Sequence, residues 1–168
     1  YLNTLEKLFV IEDVNATNLN FRSKYALRTK PKKYFVDPSI ATAVLDMKPS
    51  DLINDLNTFG FMFESLCMRD LKIYTQSYGG DITFYRDETD FEVDAIFKTS
   101  SGKWGAIEIK LGLSKVEEGS NNLIKVCKDI VNNGGKEPIM KCVIYGVGNM
   151  AYKNADGVYI IPITALKN

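Results

Sequence analysis

Two short stretches in the middle of the chain, 91–97 and 104–110, alternate between apolar and polar residues. Such alternation has the period of a β-strand with one buried face. In the first stretch one face carries Phe91, Val93, Ala95 and Phe97, and the other carries Glu92, Asp94 and Ile96. In the second stretch one face carries Ile107 and Ile109, and the other carries Ala106, Glu108 and Lys110. Because the linking residues favour a turn, we predict an antiparallel hairpin.

The same pattern predicts the register of this hairpin. The two apolar faces coincide only when the numbers of paired residues sum to an even value, because a slip of one residue turns a whole face over. A sum near 202 places Asp94 opposite Glu108, with Lys110 two residues further along the same face. We therefore predict that Asp94, Glu108 and Lys110 form one cluster.

The elements around the hairpin predict a mixed α/β fold. A long helix is expected over 57–74, a strand over 82–86, a second helix over 117–132 and further strands over 139–147 and 157–161. The long helix carries an apolar stripe that includes Phe59, Met62, Phe63, Leu66 and Ile73. Glu64 lies on an apolar side of this helix, where an unpaired ionised carboxylate would cost several kcal/mol. We expect Glu64 to be paired, protonated or facing a cleft.

The first part of the chain predicts a helix, a strand, a long loop and a return strand, the order found in the last part of a winged helix. A short helix over 38–45 follows, and a break at Pro49 suggests domains at 1–49 and 50–168. The loop and the return strand are basic, with Arg22, Lys24, Arg28, Lys30, Lys32 and Lys33. Such a wing can lie along phosphates. The alternative, a solvated loop beside edge strands rich in Lys, stays open.

Composition narrows the chemistry. The chain has no His, which excludes Ser-His-Asp and Cys-His nucleophilic systems and His-ligated zinc. Lys and Arg equal Asp and Glu at 21 each, so any basic surface must be local. No apolar run reaches the length of a membrane span and no signal peptide opens the chain. We expect a cytoplasmic protein without a membrane partner, and the start at Tyr1 favours a fragment of a longer chain.

The predicted cluster suits a divalent metal. Mg²⁺ is bound through one or two carboxylates and keeps several waters. Bound metal lowers the pKa of water and offsets charge that develops on phosphate, while a neighbouring Lys can orient the water or stabilise an oxyanion. The alternative is an exposed sheet face with ordinary charges.

From residue 57 onward the chain resembles the restriction-endonuclease-like core of the PD-(D/E)xK nuclease superfamily: a helix, a three-strand meander, a helix and a strand. The matching positions are Glu64, Asp94 and Glu108-Ile109-Lys110, whereas Val93 stands where the superfamily has Pro. The resemblance implies that Asp94, Glu108, Lys110 and Glu64 are catalytic. It also implies that Asp94, Glu108 and Glu64 bind Mg²⁺ or Mn²⁺.

A narrower resemblance covers nearly the whole chain. The segments that carry it are 1–8, 33–37, 60–64, 84–86, 92–94 and 106–110. They are similar to a domain of unknown function at the C-terminus of many prokaryotic AAA+ family ATPases. This implies an ATPase module upstream in the same polypeptide, which alone would bind ATP, and a winged-helix part that contacts DNA through Lys24, Arg28, Lys30, Lys32 and Lys33.

Two functions follow as hypotheses. The first is a Mg²⁺-dependent nuclease that uses the Asp94, Glu108 and Lys110 site. The second is a non-catalytic module that binds DNA or protein and regulates the ATPase, with ion pairs between Lys110 and the carboxylates satisfying the charges without metal.

Overall fold

The computed structural model describes residues 1–17, 19 and 29–166. Its first part contains α1 (Leu2–Lys7), β1 (Ile11–Val14), β2 (Lys32–Phe35), α2 (Pro38–Val44) and α3 (Pro49–Asn54). Its second part contains α4 (Leu56–Ser77), β3 (Asp81–Arg86), β4 (Glu92–Lys98), β5 (Trp104–Lys110), α5 (Val116–Asn132), β6 (Met140–Tyr145), β7 (Tyr152–Lys153) and β8 (Tyr159–Pro162). Strand β7 was missed by the sequence pattern because two residues cannot display a period.

Local side-chain chemistry sets where the helices begin. The Asp37 carboxylate accepts a hydrogen bond from the Ser39 amide at 2.8 Å, and Pro38 occupies the first turn of α2, as predicted. The Asp55 carboxylate caps α4 in the same way, accepting from the Thr58 amide at 3.1 Å. Both helices therefore start at amide groups that a carboxylate already satisfies.

The described strands of the second part form a six-stranded sheet in the order β3-β4-β5-β6-β8-β7. Strands β3, β4 and β5 form an antiparallel meander, β6 and β8 continue parallel to β5, and β7 returns antiparallel to β8. Helix α5 is the crossover that the parallel pairing of β5 with β6 requires. The mixed α/β class is confirmed, while the finer restriction-endonuclease-like assignment stays a prediction.

The sheet separates two apolar clusters. On one face, Leu123, Val126 and Ile130 of α5 pack with Ile96 and Val143. On the other face, the buried side chains of α4 pack with Ala95 and Ile107; they are Phe63, Cys67, Met68 and Leu71. Two helices thus cover the central strands β4, β5 and β6, which are the most buried of the sheet.

Helix α4 buries a narrower face than its sequence suggests. Ile73, predicted on the apolar stripe, is 52% exposed, because only the side of the helix toward the sheet is covered. The buried side runs through Cys67 and Leu71, which are one turn apart. None of the described helices combines the length and the apolar character that a membrane span needs.

Strand β4 contains an irregularity that the sequence pattern did not predict. Thr83 pairs with Ile96, yet Tyr85 pairs with Val93, so Asp94 and Ala95 together lie opposite one residue of β3, Phe84. This is a β-bulge, which breaks the alternation of faces. The predicted face of Val93 is therefore wrong: Val93 packs in the cluster of Ile96, on the α5 side, whereas Ala95 packs on the α4 side.

The first part of the chain contacts the edge of the six-stranded sheet. Strands β1 and β2 pair antiparallel, and the chain after β1 continues to the edge strand β3 through a bridge between Ala16 and Phe84. The Thr17 amide donates to the Phe84 carbonyl at 2.7 Å, and the Phe84 amide donates to the Asn15 carbonyl at 3.1 Å. The predicted order of helix, strand, long connection and strand is present. The winged-helix assignment and the division at 49/50 stay predictions.

Candidate active site

The predicted register of the central hairpin is confirmed, since Ala95 lies opposite Ile107. The Ile109 amide donates to the Asp94 carboxylate at 2.8 Å. Lys110 Nζ lies 2.6 Å from Glu108 Oε2 and 3.9 Å from Asp94 Oδ2. The three side chains predicted to cluster therefore meet at the ends of β4 and β5. Asp94 lies in the bulge, where the regular pairing of β4 with β3 is interrupted.

Helix α5 holds Glu108 from one side. Asn122 Nδ2 donates to Glu108 Oε1 at 2.7 Å and to the Glu92 carbonyl at 2.8 Å. Gly119, one turn earlier, allows the helix to approach closely: a Cβ there would lie 3.2 Å from Lys110 Cε and 3.5 Å from Glu108 Cβ. Sequence reasoning missed both residues. Their three-residue spacing, which places them on one helix face, was the available signal.

Helix α4 and strand β2 meet the same site from the other side. Tyr34 Oη donates to Glu64 Oε1 at 2.6 Å, and Lys32 Nζ lies 3.6 Å from the same oxygen. Lys32 also forms a close ion pair with Glu92. Glu64 is thus paired, one of the outcomes expected from its apolar position. Lys32 and Tyr34 are two residues apart on β2, and in a strand this spacing places both side chains on the same face.

The other residues predicted to contact nucleic acid lie elsewhere. Lys33 forms ion pairs with Glu6 and with Asp13, the latter at 2.6 Å. Lys30 is exposed to solvent. Lys24 and Arg28 fall outside the described residues. The structure therefore places Lys32 inside the candidate site and Lys33 in a separate group of charges, so the two do not form one basic stripe.

The site carries an excess of negative charge. Among the described side chains, its acidic cluster has four carboxylates, those of Glu64, Glu92, Asp94 and Glu108. Three cations face them, Lys32, Lys110 and Arg86, the last at 2.7 Å from Glu92. When all four carboxylates are ionised, four negative and three positive charges give a net charge of −1. Asp94 has the weakest pairing, because its contact with Lys110 is at the limit of an ion pair.

The pKa values of the site reflect burial first and the charges of its neighbours second. Burial, and then the charge of Glu108, raise the pKa of Asp94 to about 7, although Lys110 and the Ile109 amide oppose the shift. Burial and the charge of Asp94 also raise the pKa of Glu64, against the effects of Lys32 and Tyr34. Burial disfavours the charged form of Lys110, but Asp94 and Glu108 outweigh it, so the pKa of Lys110 is raised and the ammonium stays charged.

The residues present fit a metal site with two protein carboxylates as ligands. Among the described residues, no three Asp, Glu or Cys side chains are grouped to hold a metal ion together. Asp94 and Glu108 offer two carboxylates, a number that Mg²⁺ accepts because it retains waters. Asp94 is 15% exposed and can be reached from solvent, whereas Glu108 is 2% exposed. The third ligand predicted, Glu64, is held by Tyr34 and Lys32, so its metal role stays a prediction.

Comparisons with known proteins identify two matching family models, and both are described as domains of unknown function. A model described as a domain of unknown function, DUF4143, matches residues 59–166. A second model, also described as a domain of unknown function, DUF8612, matches residues 1–51. No curated protein and no solved structure matches the chain. The candidate site draws on both matched segments, because Lys32 and Tyr34 lie in the first and the acidic cluster lies in the second.

Proposed function

From the premise that the chain belongs to the DUF4143 family, we propose that this domain is a Mg²⁺-dependent phosphodiesterase with a restriction-endonuclease-like core that hydrolyses nucleic acid. One observation carries the proposal. The register of the hairpin brings both Asp94 and Glu108 near the Lys110 ammonium, whose Nζ lies 3.9 Å from Asp94 Oδ2 and 2.6 Å from Glu108 Oε2. Two carboxylates can hold a divalent metal, and a neighbouring Lys can stabilise the charge that develops on a phosphate.

Each side chain has a role that its contacts support. Asp94 and Glu108 would hold the metal, which supplies an activated water and offsets charge on the phosphate when it is bound. Asn122 fixes one oxygen of Glu108, and the Ile109 amide fixes one oxygen of Asp94, so both carboxylates are oriented in advance. Lys110 stays beside both carboxylates and can donate to a phosphate oxygen or to the attacking water.

The substrate and the partners belong to the same proposal. DNA is the expected substrate, with Lys30 and the residues Lys24 and Arg28 as candidate phosphate contacts. An ATPase module in the same polypeptide is the expected partner, and Glu64 is the expected further carboxylate on the metal side. Support for Glu64 is its position on α4 within the acidic cluster, where Lys32 lies 3.6 Å away.

Thermal unfolding with Mn²⁺ or Mg²⁺ tests the metal site without knowledge of the substrate. A metal at about 100 times its dissociation constant stabilises by about 2.7 kcal/mol, which appears as a shift of several degrees. We expect this shift in the wild type and its loss in the double variant Asp94→Asn, Glu108→Gln. The matched control, Glu88→Gln with Asp129→Asn, removes two exposed carboxylates and should keep the shift.

Cleavage of plasmid DNA then tests the reaction. The wild type should nick or linearise the plasmid only with metal, and Lys110→Met should abolish the activity while keeping the metal-induced shift. Wild-type protein that gains no stability up to about 10 mM metal and leaves DNA and RNA intact would refute the proposal.

A second candidate function rests on the ion pairs already present. Glu108, Glu92 and Glu64 each face a cation within the protein, so much of the charge in the site is balanced without metal. On this proposal the domain binds DNA or a protein and regulates the attached ATPase. Binding of a labelled duplex that is equally tight with metal and with a chelator, together with no cleavage, would favour this second function.

A further inference from the structure

We propose that Lys32 is a tethered cation that pairs with Glu64 and Glu92 beside the predicted metal ligands Asp94 and Glu108, so that its charge opposes the loading of a divalent metal. This inference rests on the proposed function, since it assumes that Asp94 and Glu108 take a metal. It adds a residue from the first matched segment, 1–51, to a site whose carboxylates all lie in the second.

Contacts with two carboxylates and one aromatic ring hold the Lys32 side chain in the site. Its Nζ contacts Glu92 and lies 3.6 Å from Glu64 Oε1, so it bridges carboxylates from α4 and β4. Its side chain is 25% exposed, and Nζ lies 5.2 Å from the centre of the Phe84 ring. Two residues further on β2, Tyr34 is 7% exposed and donates to Glu64 at 2.6 Å. Tyr34 therefore anchors the strand that presents Lys32.

Charge balance gives Lys32 its effect. Without Lys32, the acidic cluster would retain Arg86 and Lys110 against four carboxylates, a net charge of −2 in place of −1 when all four are ionised. Asp94 is among the carboxylates whose charge acts on Lys32. A divalent ion beside Asp94 supplies the missing charge and repels the ammonium, so the two cations oppose each other.

The competition links the two parts of the chain. By thermodynamic reciprocity, a metal that is weakened by Lys32 must weaken the attachment of Lys32 to the same degree. A partner that draws β2 away from α4 would therefore raise the affinity of the site for metal. The first segment would control the site through a single side chain.

Isothermal titration with Mn²⁺ alone tests the inference on the whole chain. Lys32→Met keeps an unbranched side chain and removes the charge, and we expect it to bind Mn²⁺ at least about tenfold more tightly than the wild type. Lys33→Met is the matched control, because Lys33 is the next residue of β2 and pairs with Glu6 and Asp13, away from the site. It should bind within about twofold of the wild type.

Further variants make each outcome decisive. Lys32→Arg should bind like the wild type, and Lys32→Gln serves as a second neutral variant if Lys32→Met does not fold. Equal or weaker Mn²⁺ binding by the neutral variants would overturn the inference and leave the metal site standing. Absence of binding by the wild type and by every Lys32 variant would overturn the inference and the proposed function together. Binding that appears only in the neutral variants would support the inference and the assignment of the metal site to Asp94 and Glu108.

Discussion

At the scale of single residues, Asp94 is a carboxylate whose ionisation the surrounding fold opposes. Its carboxylate lies beside Glu108, while its compensating contacts are one amide at 2.8 Å and an ammonium 3.9 Å away. Burial and then the charge of Glu108 outweigh these contacts and raise the pKa of Asp94 to about 7, against about 3.9 for an Asp in an unfolded chain. A divalent ion beside this carboxylate would offset the repulsion from Glu108 and favour the charged form of Asp94.

The shifted pKa predicts how stability depends on pH in the absence of metal. Between about pH 4 and pH 7 the folded state binds a proton at Asp94 that the unfolded state has released, so the free energy of unfolding falls as the pH rises through this window. Asp94→Asn removes this contribution and keeps an oxygen for the Ile109 amide. We expect the variant to gain stability over the wild type by on the order of 2 kcal/mol between pH 5 and pH 8. Urea unfolding in the presence of a chelator measures the difference.

A control variant separates this effect from general changes in charge. Asp129→Asn removes an exposed carboxylate on α5 and should follow the pH profile of the wild type. Profiles of wild type and Asp94→Asn that run parallel from pH 5 to pH 8 would contradict the raised pKa of Asp94.

At the scale of elements, helix α5 and the hairpin of β4 and β5 form one unit. Asn122 joins them, since a single amide group donates to the Glu108 side chain on β5 and to the Glu92 carbonyl on β4. The partner oxygen of Glu108 is almost completely removed from water, with 2% of the side chain exposed. A buried acceptor that loses its donor retains its full desolvation penalty.

Asn122→Ala should therefore lower the free energy of unfolding by about 1–3 kcal/mol. Asn121→Ala is the matched control: it makes the same change one residue earlier, on the exposed side of α5, and should stay within about 0.5 kcal/mol of the wild type. Urea unfolding followed by circular dichroism compares the two. Similar losses in both variants would mean that helix propensity, and not the contact with Glu108, determines the result.

Some features of these strands and helices could be predicted from the sequence alone, and others could not. The register of β4 against β5 could be predicted because the apolar residues of both strands alternate and one slip would expose a whole face. The bulge at Asp94 could not, because it depends on how β3 pairs with β4 around Phe84, a contact that no local pattern in β4 records. Asn122 was missed for the same reason: its role appears only when the crossover helix is laid over β5. Lys32 and Lys33 look equivalent in the sequence, and only their alternation along β2 sends one into the site and the other to Glu6 and Asp13.

At the scale of the whole molecule, the first segment is part of the core. Val14 of β1 and Tyr34 of β2 are 4% and 7% exposed, and both pack in the apolar cluster between the sheet and α4. The bridge between Ala16 and Phe84 adds backbone hydrogen bonds at the edge of the main sheet. Contacts of this kind predict that the hairpin of β1 and β2 unfolds together with the six-stranded sheet, and not before it.

Val14→Ala tests this coupling, with Trp104 as the reporter. Trp104 is the sole tryptophan of the chain, is 4% exposed and packs in the other cluster, on the α5 side of the sheet. Loss of two buried methyl groups should lower the free energy of unfolding by about 2 kcal/mol. The matched change Val44→Ala, at a side chain that is 80% exposed at the end of α2, should shift the free energy of unfolding by less than about 0.5 kcal/mol.

If the molecule is one cooperative unit, Val14→Ala moves the urea midpoint of Trp104 fluorescence and that of circular dichroism equally. If the fluorescence midpoint stays in place while part of the dichroism signal is lost at lower urea, the first segment unfolds separately, and Lys32 could leave the acidic cluster without disturbing the sheet that carries it.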